Sequence, residues 1–374
     1  MPDNSNPPGA HVLMMLTDAY GGYGGIAQYN RDFIAALCAL PEVASVEALP
    51  RIAEAPLGDL PAKLVFPLSG VGGIVRFTRA ALARGLFGPK PDIVICGHIN
   101  LLPWCALIAK LRSAKLVMLL FGIDVWQPTG RTMIDRLTGR VDLIISISRV
   151  TLERYLAWAS PPRRGPALLP NAIHLEDYGE GPKAPDLVAL YGLEGRKVLM
   201  TFGRIAATEQ AKGFDEIIEI LPRLRMRDTS IVYMVAGTGD DVTRLKAKAA
   251  ALGVADHVIF TGMVPEERKA EHYRLADVYA MPSRGEGFGF VIIEALACGI
   301  PAIASRTDGG LEAIRDGLLG IAVDPAKPDE IEAAIFAALA MPKVVPRGLD
   351  YFAFSNFVAR LRDMLFAPKP GPTA

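Results

Sequence analysis

The stretch "MPSRGEGFGFVIIEALACGIPAIAS", Met281–Ser305, sets two glutamates eight positions apart: Glu286 in a glycine-rich turn and Glu294 in an apolar run. "VYAMPS" reads as a buried strand running into that turn. "FVIIEALACG" reads as the helix after it, closed by Gly299 in the C-terminal capping position with Pro301 just beyond. "IPAIAS" is then the next strand. Strand, tight loop, helix and strand make the repeating unit of a parallel α/β sheet. Glu286 falls in the loop at the strand's C-terminal end. Gly285, Gly287 and Gly289 let that backbone approach a ligand closely and leave free N–H groups at the helix start. Glu294 falls about one turn inside the helix, between Ile293 and Ala295.

The same alternation extends along the chain. "HVLMMLTD", "VASVEAL", "AKLVFPL", "PDIVICGH", "KLVMLLFG" and "VDLIISIS" read as strands in the first half. "KVLMTFGR", "SIVYMVAG", "HVIFTGMV", "VYAMPS", "IPAIAS" and "GIAVDP" do so in the second. Apolar runs without alternation suit strands covered on both faces, hence parallel sheets. Amphipathic segments such as "IAQYNRDFIAALCAL" and "GFDEIIEILPRLRM" separate them. The expected fold class is α/β, with two doubly wound, Rossmann-like domains facing a central cleft. The proline- and charge-rich stretch "PPRRGPALLPNAIHLEDY" reads as the boundary. It divides residues 1–173, joined by a C-terminal helix at about 351–366, from residues 174–345.

Composition limits the function classes. Among 374 residues, 40 Lys and Arg balance 40 Asp and Glu, which argues against nucleic-acid binding by bulk charge. The halves differ: up to Ile173 there are 17 basic and 12 acidic residues, and the surplus reverses after it. Four cysteines without a CxxC pair suit free thiols in a reducing compartment. The N-terminal "MPDNSNPPGA" lacks the basic and apolar regions of a signal peptide, and the longest apolar run, "LVMLLFGI", is too short to span a bilayer. A cytoplasmic protein is expected.

Further residues gather at strand ends. Arg204 closes "KVLMTFGR", and Lys212 with Gly213 opens the following helix. Two cations there can meet a diphosphate and stabilise it as a leaving group. In "LTDAYGGYGGIAQYN", Gly24 and Gly25 leave a helix N-terminus open to an anion. Gly22, Gly24 and Ala27 also fit the dinucleotide fingerprint G-x-G-x-x-A, but the second strand, "VEALPRI", ends without the acid that fingerprint requires. His98 follows the strand in "PDIVICGHINLLP", and Asp124 follows the one in "LLFGIDVW". The other four histidines lack metal spacing, and no D-x-D motif stands at a strand end.

Glu286 and Glu294, with "PSRGEGFGFVIIEALACGIPAIAS" around them, resemble the E-x7-E signature of retaining GT-B glycosyltransferases of the family-4 type. The likeness covers roughly residues 12–325 and is stronger in the second half. It implies that Glu294 accepts hydrogen bonds from the two ribose hydroxyls of a nucleotide. It places Glu286 beside the transferred sugar, with the amides of Gly287, Phe288 and Gly289 on sugar hydroxyls. Arg204 and Lys212 resemble the family's cations on the donor diphosphate, here slightly further apart in sequence. Gly24 and Gly25 resemble the glycine pair that faces the donor phosphate. His98 corresponds to a histidine that faces the donor sugar, and Asp124 to a position on the sugar or acceptor side. Met263 and Val264 would meet the base, largely through backbone. "LLPNAIHLEDY" resembles the interdomain linker, with Asn171 present and Ala172 in place of its glycine.

The implied function is retaining transfer of a hexose from a nucleotide-diphosphate sugar to a sugar or lipid-linked hydroxyl acceptor, in bacterial surface polysaccharide or glycolipid assembly. No metal and no cofactor is expected beyond the donor itself. The alternatives are a sugar-nucleotide epimerase of related fold and a non-catalytic nucleotide-sugar binder. "GGIVRFTRAALARGLFGPKPD" could also lay Ile74, Phe77, Ala81 and Leu82 on an anionic membrane, with Arg76, Arg79 and Arg84 at the edge. That would make the protein peripheral at the inner face of the plasma membrane.

Overall fold

The computed structural model describes residues 9–54 and 56–367. The chain forms two compact units, one running up to Ala172 and resuming at Phe354, the other spanning Ile173–Ala353.

The first unit is built on a seven-stranded parallel sheet. Its strands are β1 (Ala10–Leu16), β2 (Val43–Pro50), β3 (Leu64–Val65), β4 (Ile93–Cys96), β5 (Lys115–Leu120), β6 (Leu143–Ser146) and β7 (Pro166–Leu168). They lie in the order β3-β2-β1-β4-β5-β6-β7. Val12 to Leu16, Ile93 to Cys96 and Leu116 to Leu120 are consecutively buried because helices cover both faces, so no polar alternation is written into them. Helix Phe354–Phe366 returns to this unit. It sets Phe357 edge-on to Tyr29 at a centroid distance of 5.6 Å, and Arg362 pairs with Glu42 at 2.5 Å.

The second unit carries a six-stranded parallel sheet. Its strands are β8 (Lys197–Phe202), β9 (Ile231–Ala236), β10 (Val258–Gly262), β11 (Val278–Met281), β12 (Ala302–Ser305) and β13 (Ile321–Val323), in the order β10-β9-β8-β11-β12-β13. Both orders reverse direction beside the unit's first strand, between β1 and β4 and between β8 and β11. Loops leaving the C-terminal ends of two such strands diverge to opposite faces and leave a crevice.

One strand went unread and one expectation needs correction. The stretch in which the boundary was expected also contains β7, on the first-unit side, which pairs Pro166 with Ile144 on β6. Pro166 is tolerated because it opens a short edge strand, where its missing N–H interrupts no ladder. The apolar face proposed for membrane contact is largely core. In helix Ile74–Phe87, Phe77 and Ala81 are fully buried, and Phe77 stands edge-on to Trp104 at 5.7 Å. Ile74, Val75 and Phe87 remain exposed. No helix among the described residues is long and apolar enough to cross a membrane.

Candidate functional site

The opening stretch folds into β11, a glycine loop, helix Phe290–Ala297 and β12. Gly299, at φ +75°, closes the helix in a Schellman motif: Gly299 N donates to Leu296 O (2.9 Å) and Ile300 N to Ala295 O (3.0 Å). At the helix start, Gly289 takes φ +101°. Phe288 is buried, edge-on to Phe352 at 5.4 Å, and so anchors the loop between its glycines.

Glu286 projects from this loop and accepts from Lys212 Nζ at 3.1 Å. Lys212 belongs to the loop after β8, so the pair bridges the crevice between β8 and β11. Arg284 N holds the two loops together by donating to Ala211 O at 2.7 Å. Next in sequence, Gly213 has φ +88°, and a Cβ there would lie within 3.0 Å of Pro282. Only glycine allows that approach. The Glu286 carboxylate raises the Lys212 pKa against the opposing effect of burial, so Lys212 is a firmly charged cation.

Arg204 lies two residues past the end of β8, in the same loop. It is exposed, and its guanidinium pairs with Glu209. Each of the two expected cations thus rests on a carboxylate of its own. Met263, exposed, and Val264, half-buried, follow β10 on the same edge of the sheet.

Glu294 is buried and held by three protein donors. Oε1 accepts from Lys269 Nζ at 2.7 Å and from the Tyr178 hydroxyl at 3.0 Å, and Oε2 accepts from the Tyr273 hydroxyl at 2.7 Å. A carboxylate has about four acceptor sites. The capacity expected for two ribose hydroxyls is therefore mostly occupied, and a ligand would have to displace one of these donors. Burial alone lowers the Lys269 pKa, but Glu294 and Glu266 outweigh it and hold the amine charged. Burial, then the neighbouring Glu294 charge, pushes both tyrosines far up, so they stay hydroxyl donors.

Asp308 was not singled out in the sequence. It follows β12 and is buried. Oδ2 accepts from Ser283 Oγ (2.7 Å) and from Glu286 N (2.9 Å), while Oδ1 accepts from Gly310 N (3.0 Å). Gly309 N donates back to Glu286 O at 2.9 Å. A Cβ on Gly309 would sit 2.1 Å from Gly287 O, so the loops after β11 and β12 are in backbone contact. Burial raises the Asp308 carboxyl to about 6. "SRTDGG" at a strand end was the available signal. Nothing local marks Tyr178, Lys269 or Tyr273.

In the first unit, Gly24 caps helix Gly25–Ala39 at φ +88°, after β1. His98 follows β4, on the other side of that unit's crevice. Its Nδ1 accepts from Asn100 N at 3.1 Å, which leaves the ring proton on Nε2. Burial, then Arg51, lowers its pKa to about 4, so at neutral pH it is an uncharged donor. Asp124 follows β5. Its Oδ2 is buried without a hydrogen-bond partner among the described residues, and burial raises the carboxyl to about 7.

That state of Asp124 has a measurable consequence. Its folded pKa lies above the ordinary 3.8, so the folded chain holds this proton more tightly than the unfolded one. The associated stability is present below pH 3.8 and is lost as pH rises to about 7. Asp124→Asn should therefore unfold like the parent near pH 4. At pH 8 it should be more stable, by roughly 1–4 kcal/mol, in denaturant titrations. An equal difference at both pH values would mean that Asp124 ionises freely.

Residues 192–347, nearly all of the second unit, match the family model "Glycosyl transferases group 1". Over 254 residues the chain is 35% identical to a GDP-mannose-dependent alpha-(1-6)-phosphatidylinositol monomannoside mannosyltransferase of Mycolicibacterium smegmatis, covering 64% of this chain and 65% of that one. It is 36% identical over 274 residues to a D-inositol 3-phosphate glycosyltransferase of Geodermatophilus obscurus, covering 70% and 58%. The chain thus spans less than two thirds of the length of these relatives. Among solved structures, Anabaena Alr3699/HepE in complex with UDP-glucose superposes with a TM-score of 0.74 at 16% identity, over 95% of this chain and 99% of that one. The lipopolysaccharide outer core galactosyltransferase WaaB gives 0.72 at 18%, over 95% and 99%. The two parallel-sheet units of this chain therefore have the GT-B fold, and the second carries the sequence match to glycosyl transferases group 1.

Proposed function

We propose that this protein is a retaining glycosyltransferase that moves a hexose from a nucleotide-diphosphate sugar to a hydroxyl acceptor. One observation carries the proposal: Lys212 and Glu286, from loops on either side of the β8/β11 crevice, meet at 3.1 Å beside a glycine loop at a helix start. The relatives support it, since one is named for GDP-mannose and a fold neighbour was solved with UDP-glucose.

In this mechanism the donor diphosphate lies against Lys212, with Arg204 swinging from Glu209 to join it. Positive charge placed where the leaving group gains negative charge lowers the barrier without a metal. Glu294 takes the ribose, with Met263 and Val264 at the base. Glu286 and the amides of Gly287, Phe288 and Gly289 fix the sugar hydroxyls. The first unit, taken by itself, offers a neutral His98 with its ring proton on Nε2, and Asp124, for sugar or acceptor hydroxyls. The bond from the anomeric carbon to the diphosphate breaks, and the acceptor oxygen bonds to that carbon on the same face. The acceptor proton passes to a diphosphate oxygen.

The test is incubation with UDP- and GDP-sugars, with and without glycolipid acceptors, in excess EDTA. Acceptor-dependent release of nucleoside diphosphate with retained anomeric configuration is expected. A changed sugar nucleotide without release indicates an epimerase. Binding without turnover indicates a non-catalytic nucleotide-sugar binder. Activity abolished by EDTA would overturn the electrostatic account.

The lipid-facing part of the proposal is narrower than the sequence suggested. With Phe77 and Ala81 inside the core, only Ile74 and Val75 near Arg76 and Arg79, and Phe87 at the far end of the helix, are left for an anionic surface. Weak, salt-sensitive flotation with anionic vesicles is expected, each basic group adding about 1 kcal/mol or less. Arg76→Glu with Arg79→Glu should abolish it. Equal flotation with neutral vesicles would exclude an electrostatic contact.

A further inference from the structure

A group of cations lies at the other edge of the first sheet. A cavity of about 730 Å³ opens there between the end of helix Leu102–Arg112 and the starts of β5 and β6. Lys110, Lys115, Arg140, Arg163 and Arg164 line it, against a single carboxylate, Asp142. Asp142 is already engaged: Oδ2 accepts from Leu116 N at 2.8 Å, and Oδ1 lies 3.5 Å from Arg163. Among the described residues, Lys110, Lys115, Arg140 and Arg164 form no ion pair.

Lys115 is the least exposed of the five cations, and its amine reaches only the Leu365 carbonyl, at 3.4 Å. Burial, then the Arg164 charge, pushes it down to about 8. Surface cations normally point apart into water. Here five share one concavity with one internal counter-charge, an arrangement that focuses positive potential and is relieved by a bound anion. The cavity is separate from the site above. Lys115 begins β5 and Asp124 follows its far end, and six extended residues span roughly 16 Å.

We propose that this cavity binds a small phosphorylated anion carrying two or more negative charges, held by Lys110, Lys115, Arg140, Arg163 and Arg164. The surplus of cations favours a diphosphate or a phosphomonoester over a monoanion, and the guanidinium groups suit bidentate phosphate contacts. A soluble phosphate ester and a lipid phosphomonoester headgroup share this chemistry.

Hydrogen exchange on the full chain tests it, with inorganic diphosphate in one arm and phosphatidic acid in phosphatidylcholine vesicles in the other. Slowed exchange is expected in peptides covering 110–116 and 137–142. That protection would be independent of any change in 203–213 and 282–289, where the donor is proposed to bind. Arg140→Glu with Arg164→Glu, both exposed, should weaken the protection at least about tenfold. It should leave the loops after β8 and β11 unaffected. Protection by diphosphate assigns a soluble ligand, and protection by vesicles alone assigns a headgroup. Absence of protection in the parent chain in both arms overturns the site, whether or not the double variant folds. So does protection that survives the charge reversal.

Discussion

Glu294→Ala should lower the thermal midpoint of the second unit sharply, before any question of ligand affinity arises. Among the described residues, the substitution removes the only carboxylate on the half-buried Lys269 besides exposed Glu266, which is 3.4 Å away, and strands the hydroxyls of Tyr178 and Tyr273. Breaking a buried ion pair from one side costs about 3–5 kcal/mol, because the remaining charge stays desolvated. For a unit of this size that is roughly 6–20 °C. From the sequence alone an intact fold would be expected, with Glu294 free to serve the ribose. Glu294→Gln keeps the shape and one acceptor, and should lose less stability. At temperatures where both variants are folded, affinity for nucleoside diphosphate should fall by about 2–4 kcal/mol, roughly 30- to 1000-fold. Scanning calorimetry and titration calorimetry read the two effects separately. An unchanged midpoint would refute the buried cradle, and unchanged affinity would remove Glu294 from the nucleotide site.

Lys212→Met should reduce turnover about 100- to 1000-fold while nucleoside diphosphate still binds, since losing one preorganised donor to a developing negative charge costs about that much. The fold should survive. Glu286 loses its cation, but its backbone stays fixed by Asp308 Oδ2 and Gly309 N. Arg204→Ala should have a smaller effect, about tenfold, because Arg204 starts exposed and must leave Glu209 to act. Steady-state kinetics with a UDP- or GDP-sugar decide it. A rise in KM with kcat preserved would mean that Lys212 contributes ground-state binding only.

The strands of both sheets could be read in the sequence because parallel strands buried on two faces are uninterrupted apolar runs. β7 could not, since three residues beginning with Pro166 carry no such run. The glycine loop and its two glutamates were legible as a strand-to-helix turn. The surroundings of Glu294 were not, because Tyr178 lies 116 positions away and "ERKAEHY" looks like any charged helix start. Helix Ile74–Phe87 shows the complementary failure. Its periodicity marks an apolar face correctly, but which neighbour covers that face is tertiary information, and Trp104 supplies the answer.

The backbone contact between Gly309 and Gly287 has a thermodynamic consequence. A loop held by Asp308, by Gly309 N and by the buried Phe288 ring has already lost most of its conformational entropy on folding. Fixing a free loop residue costs about 1–2 kcal/mol, and a donor arriving here would not bear that charge for Gly287 to Gly289. Loosening the fastening, as with Asp308→Ala, moves the ordering step from folding to ligand capture. The signature is calorimetric: a less favourable binding entropy, with the same groups still touching the ligand.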